Sequence, residues 1–204
     1  MLRAGLAQLI DNQPDMMVCF EAESPATVLA QVAREKPDLV VTDLTMTGGS
    51  GFELLKSLRA KFPAVRVLVL SMHDETIYAE RVIRAGADGY VMKALGGEQL
   101  LTAIRRILEG RLFLSETMWS QLVITMGAKR PRRSRSPIET LTDREFEVLE
   151  LIGQGKSTRE IATQLRISPK TVDVHRTRLR HKLELRDNAA LIRYAMRWAE
   201  VMNV

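Results

Sequence analysis

Three polar side chains each stand at the end of a short apolar run rich in β-branched residues. Asp43 follows LVVT, Ser71 follows VRVLVL, and Lys93 follows GYVM. In an open parallel sheet, ligands and chemistry gather at the carboxyl ends of the strands. A carboxylate, a hydroxyl and an ammonium on adjacent strand ends can accept, orient and neutralise a phosphoryl group. Each residue alone is commonplace. Their succession on three consecutive strands is the specific signal.

A second set of residues suits a polyanion. Ser168–Leu183 carries Lys170, Arg176, Arg178, Arg180 and Lys182 against a single acid, Asp173. Two S/T-x-x-E boxes precede it, Thr142–Glu145 and Ser157–Glu160, each able to cap a helix reciprocally. Ser168-Pro169 then places a capping serine before a proline at the first helical position. The four residues LRIS between the second and third starts have the length of a helix-turn-helix connection. A tight helix pair with a cationic second member fits the major groove of double-stranded DNA. Lys156, Thr158, Lys170, Thr171, His175, Arg176, Arg178 and Lys182 are the candidate phosphate contacts, which position rather than specify. The alternative for the cations is a solvated face, and for His175 a half-buried structural histidine. Val172, Leu179 and Leu183 form the apolar stripe of this helix, completed by Ile161, Ala162 and Leu165. Lys170, Thr171, Asp173, Val174 and Thr177 lie on the other face.

Residues 1–112 must position the first set. They alternate short apolar runs (Met17–Phe20, Leu39–Asp43, Val65–Ser71, Gly89–Met92) with amphipathic stretches at Leu2–Asn12, Pro25–Lys36, Gly51–Ala60, Glu75–Ala85 and Gly97–Leu108. This predicts an α/β fold, a doubly wound parallel sheet covered on both faces, but one that opens on a helix. Residues 113–140 read as a connecting helix and a basic linker, GAKRPRRSRSP. Within it Arg132, Arg133 and Arg135 either tether or touch phosphates. Residues 141–204 predict an all-α, four-helix domain. Its last helix, ALIRYAMRWAEVM, repeats Ala190, Tyr194, Trp198 and Val201 at helical spacing, for packing inward or for pairing with a second copy.

The first part resembles the receiver domain of two-component response regulators, with Asp43 in a D-L-x-M setting, Ser71 before a helix and Lys93 after the last strand. The stretch from Leu141 to Leu185 is similar to the LuxR/FixJ-type helix-turn-helix, and the two likenesses together cover nearly the whole chain. The resemblance implies that a histidine kinase phosphorylates Asp43. It implies further that Ser71 contacts the phosphoryl group, that Tyr90 rotates inward with it, and that Lys93 pairs with it. It implies that Asp173, Val174 and Thr177 read bases: Val174 against a thymine methyl, Asp173 accepting from cytosine N4. Asp173 is otherwise held by Lys170 or Arg176 for orientation alone. A homodimer on paired half-sites follows, with the last helix, or the region of Asp88 and the helix after Lys93, as candidate contacts.

One departure from the family pattern matters. Receivers open with a strand ending in two acids that hold Mg²⁺, whereas Met1–Leu6 aligns with the helix after it. Its loss is expected to open the middle of the sheet and expose apolar faces. Asp11 and Asp15 fall at the wrong end of the first helix to replace the pair. Thr47 stands where the usual proline does, with Gly48, Gly49 and Gly51 keeping the turn. Mg²⁺ binding is thus in doubt. The start lies inside a longer frame, or the receiver works without phosphate as a protein-interaction module, or the chain is truncated.

Charge is segregated along the 204 residues. Residues 1–126 hold 13 basic and 15 acidic residues, whereas 127–140 hold five and one and 141–204 hold 12 and nine. The net +5 therefore comes from the linker and the helical domain, as a nucleic-acid partner requires. No apolar run is long enough for a membrane span and no signal peptide is visible, so a cytoplasmic protein is expected. The lone Cys19, in MMVCF, reads as a buried thiol. His73 and His181 have no ligand spacing, so no metal site is assigned to them. With no nucleotide loop or nucleophile–base pair, an enzyme is not expected.

Overall fold

A computed structural model of the chain describes residues 2–46, 48–72, 75–116, 118–120 and 137–202. Thr47, His73, Arg132, Arg133 and Arg135 lie outside these residues, and the side chain of Val201 is not described. The chain forms two compact units, Met1–Leu122 and Val123–Val204.

The first unit runs α1 (Leu2–Asp11), α2 (Pro25–Glu35), β1 (Leu39–Thr42), α3 (Gly51–Lys61), β2 (Arg66–Ser71), α4 (Glu75–Ala85), β3 (Gly89–Met92) and α5 (Gly96–Leu108). A single turn of 3₁₀ helix, Lys93–Leu95, joins β3 to α5. Local chemistry explains the helix starts. Ser24 accepts from the Thr27 amide with Pro25 at the first helical position, and Ser50 accepts from the Glu53 amide. The strands pair in parallel in the order β1-β2-β3. Leu39 lies opposite Arg66, Thr42 opposite Val69, and Ser71 opposite Met92. Beyond α5, Phe113 closes the far edge, its carbonyl accepting from Tyr90 N at 3.0 Å.

One face of the sheet packs Leu68, Leu70 and Val91 on Leu100, Ala103, Ile104 and Ile107 of α5, with Leu39 and Val41 at the margin. Elsewhere in the unit's core, Phe52, Leu54, Leu55 and Leu58 of α3 are buried, each worth about 1.5–3 kcal/mol. Asp88, a candidate surface contact in the sequence, is instead buried. It takes bonds from Arg59 (3.0 Å), Arg66 (3.1 Å) and the Val67 amide (2.8 Å). These satisfy its charge and remove it from any interface.

Met17–Phe20 is not a strand. A strand exists through its pairing, and this segment has no ladder. Only Val18 N is fixed, by Asp11 Oδ1 at 2.7 Å. Between it and β1 an open groove of about 1100 Å³ exposes apolar side chains, the expected opening of the sheet. Cys19 is consequently exposed rather than buried.

The second unit contains α6 (Asp143–Gly153), α7 (Thr158–Leu165), α8 (Pro169–Lys182) and α9 (Asn188–Met202). Both capping boxes form, Thr142 with Glu145 and Ser157 with Glu160, and Ser168 caps α8 through the Thr171 amide. The core joins Phe146, Val148, Leu149 and Ile152 to Ile161, Leu165, Val172, Leu179, Leu191 and Ala195. On α9 the inward face is Leu191, Ala195 and Trp198, so it is rotated slightly from the expected Ala190–Tyr194 line. Those two residues are half-buried. Gly153 permits the α6–α9 contact, since a Cβ there would lie 2.6 Å from the Ala195 carbonyl oxygen. Trp198 meets Phe146 edge-on, with centroids 5.4 Å apart, a favoured arrangement for two aromatic quadrupoles.

Candidate phosphoacceptor site and nucleic-acid interface

At the carboxyl edge of the sheet, Asp43 leaves β1, Ser71 ends β2 and Lys93 leaves β3. The register places all three within two residues of one another along the strands, Ser71 one step and Lys93 two steps beyond Asp43. Lys93 Nζ donates to Asp43 Oδ2 at 2.5 Å, and the Thr45 amide donates to Oδ1 at 3.1 Å. Both side chains of the ion pair are largely enclosed, 15% and 29% exposed. Their attraction is therefore less screened than at a surface. Gly48, at φ 78°, turns the loop after Asp43, a conformation open to glycine at no steric cost. Gly51 then brings α3 so close that a Cβ would sit 2.5 Å from the Leu44 carbonyl. Ser71 is fully buried, and Tyr90, expected to swing inward, already lies inside at 1% exposure.

The donor set does not fit Mg²⁺. Both oxygens of Asp43 are engaged by donors of the chain itself. Asp11 binds the Val18 amide, and Asp15 pairs with Arg105 at 2.9 Å, so neither faces Asp43. No group of three or more His, Cys, Asp or Glu side chains among the described residues is placed to hold a metal ion.

After Pro169 at its start, the exposed positions on α8 are Lys170, Asp173, Val174, Thr177, Arg178 and His181, one continuous helical stripe. Val174 presents an apolar side chain that is 43% exposed. Asp173 makes no ion pair with Lys170 or Arg176; its carbonyl accepts from Thr177 Oγ1 at 3.0 Å. Thr171 Oγ1 lies 2.8 Å from Ser168 Oγ, inside the cap. Arg176 donates to Thr158 Oγ1 at 2.9 Å, so two candidate phosphate contacts hold each other between α8 and the start of α7. Lys156 is exposed just before that start.

Lys182 departs from its expected role. It pairs with buried Glu145 at 2.7 Å and donates to the Thr140 carbonyl at 3.0 Å, tying α8 to the cap of α6 rather than facing outward. Burial alone would raise the Glu145 carboxyl. The Lys182 ammonium and the Thr142 amide outweigh it and hold the group below the usual glutamate range. His175 is half-buried with Nδ1 unpartnered; burial, then Arg144 and Arg178, push its pKa down and favour the neutral ring. Sequence reasoning missed Arg144, which pairs with Glu147 at 3.0 Å and donates to the Leu165 carbonyl at 2.7 Å, fixing the end of α7. No sequence signal marks that long-range contact.

Comparison with known proteins agrees with both units. Residues 1–105 match the response regulator receiver domain, and residues 139–195 match the bacterial regulatory proteins of the luxR family. The oxygen regulatory protein NreC of Staphylococcus carnosus is 32% identical over 200 residues, covering 96% of this chain and 92% of the relative. NreC of Staphylococcus aureus is 33% identical over the same spans. A LuxR-family two-component response regulator from an Aurantimonas species is 31% identical, with a TM-score of 0.56 over 62% of this chain and 91% of that one. RcsB from Salmonella enterica serovar Typhimurium, solved on promoter rprA with the phosphomimetic BeF3⁻, shares the fold. It has a TM-score of 0.66 at 23% identity, covering 96% and 93% of the two chains. Among the described residues no helix is long and apolar enough to cross a membrane. With a receiver fold carrying Asp43 and a capped helix-turn-helix presenting a polar stripe, the chain belongs to the LuxR-type two-component response regulators, which are DNA-binding transcriptional regulators.

Proposed function

We propose that Asp43 is the phosphoacceptor through which a histidine kinase controls DNA binding by α8. The observation that carries this is the Asp43–Lys93 ion pair at the carboxyl edge, beside Ser71. In the transfer, the N–P bond of a phosphohistidine breaks as a bond from an Asp43 oxygen to phosphorus forms. With its other ring nitrogen protonated beforehand from solvent, the histidine leaves as neutral imidazole, and Lys93 is released from the carboxylate to pair with the new dianion. No step here is assigned to Mg²⁺, which the described residues do not fit. The regulated output is a homodimer on paired half-sites in the cytoplasm. Asp173, Val174 and Thr177 meet base edges, while Lys156, Thr158, Lys170, Thr171, Arg176 and Arg178 meet phosphates. A structure of RcsB shows two dimers bound to two parallel DNAs, at 25% identity to this chain, which supports dimeric binding. The protein acts as a regulator and not as an enzyme.

A second reading is favoured by the same carboxylate, both of whose oxygens are already engaged: the receiver works without phosphate, as a dimerisation or interaction module. Acetyl phosphate with and without Mg²⁺, read by intact mass, separates them. A gain of one phosphoryl group that Asp43→Asn abolishes supports the phosphoacceptor; no gain in either condition supports the interaction module.

A further inference from the structure

The first turn of α6 holds α8 at both of its ends. Glu145 pairs with Lys182, the last residue of α8. Its neighbour Arg144 reaches the other end, where Nη2 donates to the Leu165 carbonyl at 2.7 Å. Leu165 closes α7 and stands three residues before the Ser168 cap of α8. Arg166, at φ 53°, then turns the chain from one helix toward the next. Arg144 is itself fixed: Nη1 donates to Glu147 at 3.0 Å, and the two side chains are 21% and 10% exposed. The same guanidinium bears on α8 directly, because after burial it is the largest cause that holds the His175 pKa down. One cation of α6 therefore acts on the end of α7, on the turn and on α8.

The two attachments have different consequences for DNA. Lys182 is a pivot at the far end of α8, whereas Asp173, Val174 and Thr177 lie nearer the end that Arg144 secures. At 1.5 Å per residue, Asp173 is about 13 Å along the helix from Lys182. A tilt of about 10° around that pivot moves Asp173 by about 2 Å, which exceeds what a hydrogen bond tolerates. The same movement is small beside the roughly 8–10 Å over which a phosphate attracts an exposed cation in salt solution. Loosening the turn therefore costs base contacts and spares phosphate attraction. A guanidinium is also the group the position requires. Its planar fork bonds a carboxylate and a carbonyl at once, whereas an ammonium is a point charge on a flexible stem.

We propose that Arg144, which lies outside the helix-turn-helix, is a positioning residue for sequence discrimination. It sets the angle of α8 through the Leu165 carbonyl and does not itself meet DNA. The proposal rests on the reading that α8 presents Asp173, Val174 and Thr177 to base edges.

The test uses the full chain and two duplexes. One is enriched from a randomised pool by binding to the unsubstituted protein, and the other is a shuffled duplex of the same composition. Arg144→Gln is expected to lower the ratio of the two affinities about tenfold, with the log–log salt slope on the shuffled duplex unchanged. Arg144→Lys keeps the charge but loses the fork, and is expected to lower the ratio as well. It is the milder change and keeps the test decisive if Arg144→Gln unfolds the domain; Trp198 emission shows which variants are folded. A ratio within about twofold of the parent's in a folded variant overturns the proposal. So does a salt slope lowered by about one in Arg144→Gln and restored in Arg144→Lys, which makes Arg144 a phosphate contact. Val174→Ala in the same assay should redirect preference at one position, whereas Arg144→Gln weakens preference at all positions alike. If Val174→Ala alters no preference, the reading of α8 fails and takes the proposal with it. If Val174→Ala redirects preference while Arg144→Gln leaves it intact, the proposal alone fails.

Discussion

Glu145 is the most exacting point in the helical unit, because one carboxylate caps α6 and holds α8. It accepts from Thr142 N at 2.9 Å and from Lys182 Nζ at 2.7 Å, and is 2% exposed. Glu145→Ala removes both bonds. The cap is worth about 1 kcal/mol, and the charge-assisted bond to Lys182 about 1.5–3 kcal/mol. Lys182 is one-third exposed and keeps the Thr140 carbonyl, so it rehydrates. The full cost of about 3–5 kcal/mol for breaking a buried pair is therefore not reached, and alanine's helix propensity returns a few tenths. The net expectation is a loss of about 2–3 kcal/mol. Lys182→Met should cost as much or more, because it strands the buried partner rather than the half-exposed one. The assay is urea unfolding in a Trp119→Phe background, leaving Trp198, which packs on Phe146 of α6, as the reporter. With a slope of about 1–2 kcal/mol per molar urea, the midpoint falls by about 1–3 M. The pH dependence supplies a sign. A carboxyl held below its ordinary value contributes stability that is complete above the unfolded glutamate pKa, and that is lost as pH falls through the folded one. Glu145→Gln should remove that part of the acid sensitivity. A midpoint shift under about 0.3 M, or an unchanged pH profile, would refute the assignment.

Val174→Ala and Asp173→Asn should change base preference at one or two operator positions, by about 1–3 kcal/mol each, in competition binding on randomised half-sites. Lys170→Ala should weaken all sequences alike and lower the log–log salt slope by about one, whereas Lys182→Gln should leave that slope unchanged. Gly153→Ala drives a methyl against the Ala195 carbonyl, and should cost about 1–3 kcal/mol in the same Trp198 assay. His175 has its folded pKa pushed down, so the unfolded chain binds more protons. Its contribution is complete above about pH 6.5 and lost below it. His175→Gln should flatten the stability profile in that window; an unchanged slope would place His175 in solvent.

How much of this was legible depended on the range of the interaction. The caps at Thr142, Ser157 and Ser168 are written within four residues, and all form as their spacing requires. β2 and β3 were equally plain, since a buried parallel strand is an unbroken apolar run. Met17–Phe20 carries the same signature and forms no strand, because the signature reports apolarity whereas strand formation requires a neighbouring edge. Cys19 was misplaced for that reason. Lys182 and Asp88 failed differently: a charge on a helix face or after a turn looks solvated until its partner is known. Glu145 lies 37 residues from Lys182, and Arg59 lies 29 residues from Asp88.

The two sites also differ in what the folded chain adds to them. At α8 the sequence supplies nearly the whole stripe, and folding chiefly removes two candidates, Lys182 to Glu145 and His175 into a half-buried position, while it holds Arg176 and Thr158 together between α8 and α7. At Asp43 folding adds the decisive fact, that the carboxylate is already held by a cation of the chain itself. A phosphoryl donor must compete with Lys93 for Oδ2 and with the Thr45 amide for Oδ1. Replacing Lys93 by Gln frees one oxygen but removes the cation that would stabilise the product. If Asp43 accepts a phosphoryl group, Lys93→Gln should therefore retain some labelling by acetyl phosphate yet lose the coupling of that label to DNA affinity. If the receiver acts without phosphate, the same substitution should change DNA affinity with no donor present.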